Sequence, residues 1–306
     1  MFYYKDKNLF LQTFHPAAVL IYTGVLLLLV LLLNHPLFLL MLYLVLWLEI
    51  NLLDGLRAYK KMVLLSALML LMIIIINPLF SDHGNTILWT GPKLPVLGGV
   101  VITLESVLYG INMAVRLLVL ITIFFLYNLM LDPNRAFSFL ARFAPGSVMI
   151  ITLTARLMPY LIGQFKNIKE AQQTRGVKFE GKGIYGSIRA YYSLLKILLI
   201  NSLDNAFNIA EAIQSRGYGS GLRSYYTREI FRPRDAAVMT ASCVAFLCGV
   251  AMTVRGINAY NFYPGLEMIF SNLVQLILIM LIVLLLAFPG LLNWGWHHWP
   301  YLRWKI

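Results

Sequence analysis

Six long apolar stretches constrain this chain before any single residue does. Ala17 to Leu33 is nearly unbroken, and after Asn34-His35-Pro36 a second stretch runs from Leu37 to Ile50. Met62 to Ile76 is the third, closing at Asn77-Pro78, and Leu104 to Leu131 the fourth, closing at Asp132-Pro133. Ala236 to Val254 and Ile269 to Phe288, the latter ending at Pro289-Gly290, complete the set. A bilayer core about 30 Å thick takes about 20 apolar residues per helical span. It offers the backbone no hydrogen-bond partners, so each stretch has to be helical. Proline cannot continue a helical ladder, which makes the first two stretches a hairpin. No small-residue cleavage site follows the first run, so a retained span is expected rather than a signal peptide.

Composition agrees and adds a puzzle. Of 306 residues 60% are hydrophobic and 12% charged, with mean hydropathy +0.75. Soluble domains carry about 25% charged residues, so the composition argues against an ordinary cytoplasmic enzyme. Yet the chain is net +12. Cytoplasmic loops collect Lys and Arg, and that rule assigns the sides. Arg57, Lys60 and Lys61 fall with Lys5, Lys7, Arg303 and Lys305 on one side, and Lys93 and Arg255 fall on the other. The expectation is a multi-pass membrane protein with both termini cytoplasmic. Residues 132–235 hold 15 basic and 7 acidic residues, net +8. That third of the chain is too long for a loop. Three parts follow: membrane helices 1 to 4 in residues 1–131, a cytoplasmic domain in 132–235, and membrane helices 5 and 6 with an aromatic tail in 236–306. Cys243 and Cys248 share one apolar stretch and give neither a disulfide framework nor a zinc spacing.

The central part reads as two amphipathic helices. Ile150, Ile151, Thr154, Leu157, Met158, Leu161, Phe165 and Ile168 recur at three- and four-residue intervals, with Pro159 as a potential kink. Tyr191, Leu194, Leu195, Leu198, Leu199, Ser202, Phe207, Ala210 and Ile213 do the same. Gly176, Gly181, Gly183 and Gly186, with Lys178 and Lys182, mark the connection. Both helices end alike. Glu170-Ala171-Gln172-Gln173-Thr174-Arg175-Gly176 is matched 41 residues on by Glu211-Ala212-Ile213-Gln214-Ser215-Arg216-Gly217, six of seven positions agreeing in type. The plainer explanation is two independent helix ends, since Gly suits a left-handed cap and Arg the helix C-terminal dipole. Shared capping predicts the Gly and part of the Arg, but not the repeated Glu, Ala, Gln and hydroxyl. Two tips that each present one Arg fork fit acidic or carbonyl-lined grooves, because the planar guanidinium binds such groups bidentately.

On these motifs the sequence resembles the T component, the transmembrane coupling subunit, of energy-coupling factor transporters. Asn77-Pro78-Leu79-Phe80 with His83-Gly84, Asp132-Pro133 with Arg135, and Gly217-Tyr218-Gly219 with Arg223 extend the match from span three to the start of span five. The resemblance implies an all-α integral membrane protein of about six spans with long cytoplasmic amphipathic coupling helices. It implies a non-catalytic scaffold whose tips enter grooves of two ATP-binding-cassette ATPases, with ATP bound there and no cofactor on this chain. A membrane-embedded S component would hold the vitamin or transition-metal ion to be taken up. Arg175 and Arg216 are the expected contacts, Gly176 and Gly217 permit the helix ends, Ala171 and Ala212 keep the tips slim, and Thr174 and Ser215 complete the pair.

Other features carry less. Asp82 and His83 with Asn77 and Asn85 read as a turn rather than an ion site. His297 and His298 among Trp294, Trp296, Trp299 and Trp304 read as an interfacial anchor. Arg116 lies well inside span four, where a charge costs about 2.5–3.5 kcal/mol. It therefore faces the bundle interior, faces a partner, or snorkels; Glu49 closes span two. Gly217 to Gly221 lacks the Lys-Ser or Lys-Thr of a phosphate-binding loop, and the basic central part is explained by a membrane surface rather than nucleic acid. Two rivals stand: a self-sufficient secondary transporter, which expects paired polar groups on broken helices, and an intramembrane enzyme, which expects converging acid, base or metal groups.

Overall fold

In the computed structural model the described residues are 9–80, 84–94, 98–141, 143–177, 179, 184–221, 230–257, 260–263, 265 and 273–298. The chain divides into two compact units, Met1–Ala136 with Glu229–Ile306, and Phe137–Arg228. In the first, a short 3-10 helix at Phe10–Thr13 leads into α1 (Pro16–Leu32), α2 (Pro36–Leu52) and α3 (Leu56–Phe80). A hairpin of β1 (Ile87–Leu94) and β2 (Gly98–Thr103) precedes α4 (Leu104–Met130) and α5 (Pro133–Leu140). The chain returns through α8 (Pro233–Val254), α9 (Leu273–Leu286) and α10 (Phe288–His298). The second unit is built on α6 (Pro145–Thr174) and α7 (Ile184–Ser215).

The protein is an all-α membrane protein. Among the described residues four helices, α3, α4, α6 and α8, are long and apolar enough to cross a bilayer, and the pair α9–α10, bent by 47°, makes a fifth if it is one span. The expected six spans included α1 and α2. Both are apolar but only 17 residues long, about 25 Å at 1.5 Å per residue. The amphipathic α6, expected outside the membrane, meets the same length and composition test.

Helices that are greasy all round do not reveal from sequence which face is inside. The structure does. On α2, Phe38, Leu39, Leu42, Leu46, Glu49 and Ile50 are buried at three- and four-residue steps, while Leu40, Leu44 and Leu48 are exposed. On α3 the outward face is bare: Leu64, Leu65 and Leu68 are 77%, 79% and 72% exposed. The core runs through α1, α2, α4, α8 and α9. There α8 turns a stripe of Val238, Ser242, Ala245, Gly249 and Met252 inward, and Gly249 leaves no room for a Cβ beside the Leu29 side chain of α1. Small residues permit this close approach where no hydrophobic effect drives helices together.

Several boundaries differ from the sequence reading. The helix of span three starts at Leu56 rather than Met62 and continues through Pro78 to Phe80, with the Asn77 amide donating to the Ile73 carbonyl one turn back (3.1 Å). Proline near a helix end forfeits a single bond, and the last turn survives it. The Pro289-Gly290 break is instead the start of α10, and Gly186 belongs to α7, not to the connection. The hairpin was not foreseen. Ile87 to Thr90 and Val100 to Thr103 carry the β-branched and aromatic residues that favour strands, but three glycines and two prolines between them read as loop. Its end is tied to α4, since Thr86 donates through Oγ1 to Glu105 Oε2 (2.8 Å) and Ser106 N–H to the Thr103 hydroxyl (3.3 Å).

Glu49 is the buried polar group with the largest consequence. It is 1% exposed, and the Tyr22 hydroxyl lies 2.9 Å from each of its oxygens and 2.9 Å from the Leu286 carbonyl. Gly290 N–H also donates to it. The Tyr22 hydroxyl is the shared donor to the Glu49 carboxyl and the Leu286 carbonyl. This cluster fastens the α9–α10 break to α1 and α2. Tyr22→Phe is expected to strand two acceptors and lower stability by about 1–3 kcal/mol. Glu49→Gln, which keeps a donor and an acceptor, is expected to melt close to wild type. Thermal unfolding in detergent checks both, and a Gln variant less stable than the Phe variant would contradict the assignment.

Candidate coupling site

The two helix tips end by the same backbone device. After α6 ends at Thr174, Arg175 is the C-cap residue and Gly176 has φ +85°. Val177 N–H then donates to the Gln172 carbonyl (3.0 Å) and Gly176 N–H to Gln173 (2.9 Å). After α7, Gly217 has φ +71°, Tyr218 N–H donates to Ile213 (3.3 Å) and Gly217 N–H to Gln214 (2.9 Å). This paired bonding across a left-handed residue is the Schellman arrangement, and only a residue without a Cβ takes it freely.

The side chains repeat as well. Thr174 Oγ1 donates to the Ala171 carbonyl (2.8 Å) and Ser215 Oγ to the Ala212 carbonyl (3.1 Å). The repeated hydroxyl therefore has a capping role that sequence alone did not supply. The repeated Glu, Ala and Arg do not: Glu170, Ala171, Arg175, Glu211, Ala212 and Arg216 are all exposed. Neither Arg175 nor Arg216 has a side-chain hydrogen bond or ion pair among the described residues. Each tip is a rigid stub ending in a solvated guanidinium.

Behind the tips, α6 packs on α7. Leu157, Leu161, Ile168 and Gln172 on α6, and Leu194, Leu198, Ser202, Ile209 and Ile213 on α7, are the less exposed positions of the two helices. Leu194 is fully buried. Phe179 in the connection is also buried, with its ring 5.4 Å from that of Tyr191 and the Lys169 ammonium 5.7 Å above it. The helix pair still leaves Ile150, Met158 and Ile162 of α6, and Ile188, Tyr192, Leu195 and Leu199 of α7, exposed. Pro159 sits inside α6 without ending it.

Elsewhere, Arg116 is half-buried. Its Nη2 donates to the Leu33 carbonyl (3.3 Å) and to Asn34 Oδ1, while Nε has no partner. A cation on the carbonyl end of α1 is favoured by the helix dipole, so Arg116 ties α4 to the α1–α2 turn. Trp296 packs its ring 4.9 Å from Phe10, so this tryptophan lies within the fold rather than anchoring it to lipid, whereas Trp294 is half-exposed. Cys243 and Cys248 are free thiols. No group of three His, Cys, Asp or Glu among the described residues is placed to hold a metal. Asp82, His83, Lys178, Gly181, Lys182, Gly183, Arg223, Trp299 and Trp304 lie outside the described residues, as do the side chains of His297 and His298.

Comparison with known proteins returns the family that the paired tips suggested. Energy-coupling factor transporter transmembrane protein EcfT of Lactobacillus helveticus (strain DPC 4571) is 34% identical over 79 residues, 26% of this chain and 28% of the relative. EcfT 1 of Listeria monocytogenes is 24% identical over 164 residues, 50% of this chain and 59% of the relative. EcfT of Bacillus subtilis (strain 168) is 27% identical over 97 residues, 31% and 37%. The chain thus spans less than two thirds of each of these relatives. The family model of CbiQ, described as cobalt transport protein, matches residues 7–226, well over half of the chain. This multi-pass chain, with its two matched helix tips, belongs to the CbiQ cobalt transport protein family.

Proposed function

We propose that the chain is the transmembrane coupling subunit of an energy-coupling factor importer. It passes the movement of two ATP-binding-cassette ATPases to a membrane-embedded S component that carries a vitamin or a transition-metal ion. One observation carries this reading: two exposed arginines without side-chain partners among the described residues end two helices by the same cap. A guanidinium held on a rigid helix end has lost little of its freedom before docking, and its fork suits carboxylates or carbonyls in a groove. ATP binds on the ATPases, and this chain supplies no catalytic group. The exposed apolar residues of α6 and α7 then serve the S component, with the tips and both termini on the cytoplasmic side. Relatives named as energy-coupling factor transmembrane proteins support the assignment.

One observation favours a self-sufficient secondary transporter. Such proteins place polar groups at broken helices, and Tyr22 and Glu49 meet the break between α9 and α10. The class expects corresponding breaks in two halves, and among the described residues the bent pair α9–α10 has no counterpart. Uptake by this chain alone in liposomes without ATP would establish it.

Arg175→Ala with Arg216→Ala is expected to abolish co-purification with the ATPases or to leave hydrolysis uncoupled from uptake. Wild-type uptake by the double variant would refute the contact. Gly176→Ala and Gly217→Ala act differently. A Cβ at positive φ costs about 1–2 kcal/mol, so these variants should fray the tips and weaken assembly in part, seen as a higher ATPase concentration for half-saturation. Unchanged assembly would show that the cap geometry is dispensable.

A further inference from the structure

Four consecutive residues just before α1 are held by groups from the two places where the chain passes between its units. These passages are Ala136 to Phe137 and Arg228 to Glu229. Arg135, one residue before the first, lies on α5, a helix that continues past it to Leu140. Its Nη1 donates to the Gln12 carbonyl (2.7 Å) and its Nη2 to the Phe14 carbonyl (3.1 Å). Arg234 and Asp235 begin α8 just after the second passage. Arg234 Nη2 donates to the Thr13 carbonyl (3.1 Å) and hydroxyl (2.8 Å), and Asp235 Oδ1 accepts from His15 N–H (3.0 Å). Gln12, Thr13, Phe14 and His15 are therefore gripped in turn from the first passage, the second, the first and the second.

The grip is dry and directional. Arg234 is 4% exposed and Asp235 1%, and the Arg234 guanidinium sits 4.9 Å from the Phe10 ring centre and 5.4 Å from that of Phe14. Asp235 Oδ2 also accepts from Arg232 N–H (2.9 Å), closing the first turn of α8. Gln12 Nε2 reaches the Leu129 carbonyl at the end of α4 (3.1 Å). Pro16 then starts α1 with no residue between. Burying charges costs free energy that apolar packing would not. Charged forks on backbone carbonyls fix position and angle, whereas apolar surfaces slide. Such a grip is suited to carrying displacement.

We propose that Phe10–His15 is a clasp that makes both passages move α1 and α4 together, with Arg135, Arg234 and Asp235 as its positioning residues. It rests on the coupling reading above and names where in the membrane part the motion arrives. Displacement of α5 pulls on Gln12 and Phe14, displacement of the α8 start pulls on Thr13 and His15, and the sum is delivered to the first turn of α1.

The test uses the full chain assembled with its ATPases and S component. Arg135→Lys and Arg234→Lys keep the charge and the stem but lose the planar fork. Amide exchange across Gln12–Ala18 is expected to quicken about tenfold, the worth of one charged hydrogen bond. Assembly and ATP hydrolysis should persist while substrate moved per ATP falls about as far. Unchanged exchange, or quicker exchange with unchanged substrate per ATP, would overturn the proposal. Should a Lys variant fail to fold, Thr13→Val removes only a hydroxyl from the grip and is read by the same two measurements. A wild-type chain that does not assemble with the ATPases removes the coupling reading and the clasp with it. A wild type that assembles beside variants with quick exchange and full uptake removes the clasp alone.

Discussion

A bilayer gives no hydrogen bonds, and the placement of polar groups in the membrane unit follows from that. Thr23, Ser66 and Ser242 turn back to a carbonyl of their own helix, while other polar groups of the bundle tie one helix to another. Tyr22 and Glu49 meet the Leu286 carbonyl at the α9–α10 break. Tyr59 on α3 reaches the Thr122 hydroxyl of α4 (3.0 Å) and the Tyr43 hydroxyl of α2 (3.2 Å). Arg116 closes the carbonyl end of α1. Where lipid is as apolar as leucine, such contacts and close packing at Gly249 supply the specificity that the hydrophobic effect supplies in water.

How much was legible depended on what kind of signal each element carries. The long apolar helices stood out because uninterrupted hydrophobicity over a bilayer's width has few other meanings. Their inward faces did not, since Leu40 and Leu42 look alike in a sequence yet one is exposed and the other lies in the core. The helix tips were legible because glycine at a left-handed position is a local, backbone-level requirement, and φ at Gly176 and Gly217 is positive. The role of Thr174 and Ser215 was not, because a hydroxyl one turn from its acceptor can also point into water. The contacts of Arg135 and Asp235 were hidden for another reason. Their partners, Gln12, Phe14 and His15, are more than 120 residues away and are backbone groups, and a backbone carbonyl leaves no mark on the sequence.

The two units divide the labour by exposure. The unit of α1 to α4 and α8 to α10 buries polar groups such as Glu49, Thr122 and Asp235 and leaves apolar side chains on its outside. The unit of α6 and α7 shows both its charges and much of its apolar surface, down to Phe207 at 65% exposed. A helix pair that buries so little among its own residues leaves a large apolar surface to be covered by lipid or protein. In the proposed coupling role, the arginines at the tips and the apolar side chains along the shafts would meet two different kinds of partner.

Photo-crosslinking from the tips in the native membrane tests the central claim most directly. With a photoreactive residue in place of Ala171 or Ala212, one turn before each arginine and exposed, the account predicts an adduct with an ATP-binding-cassette ATPase subunit from each position. Adducts from both positions with lipid or with a second copy of this chain, and none with an ATPase, would contradict it.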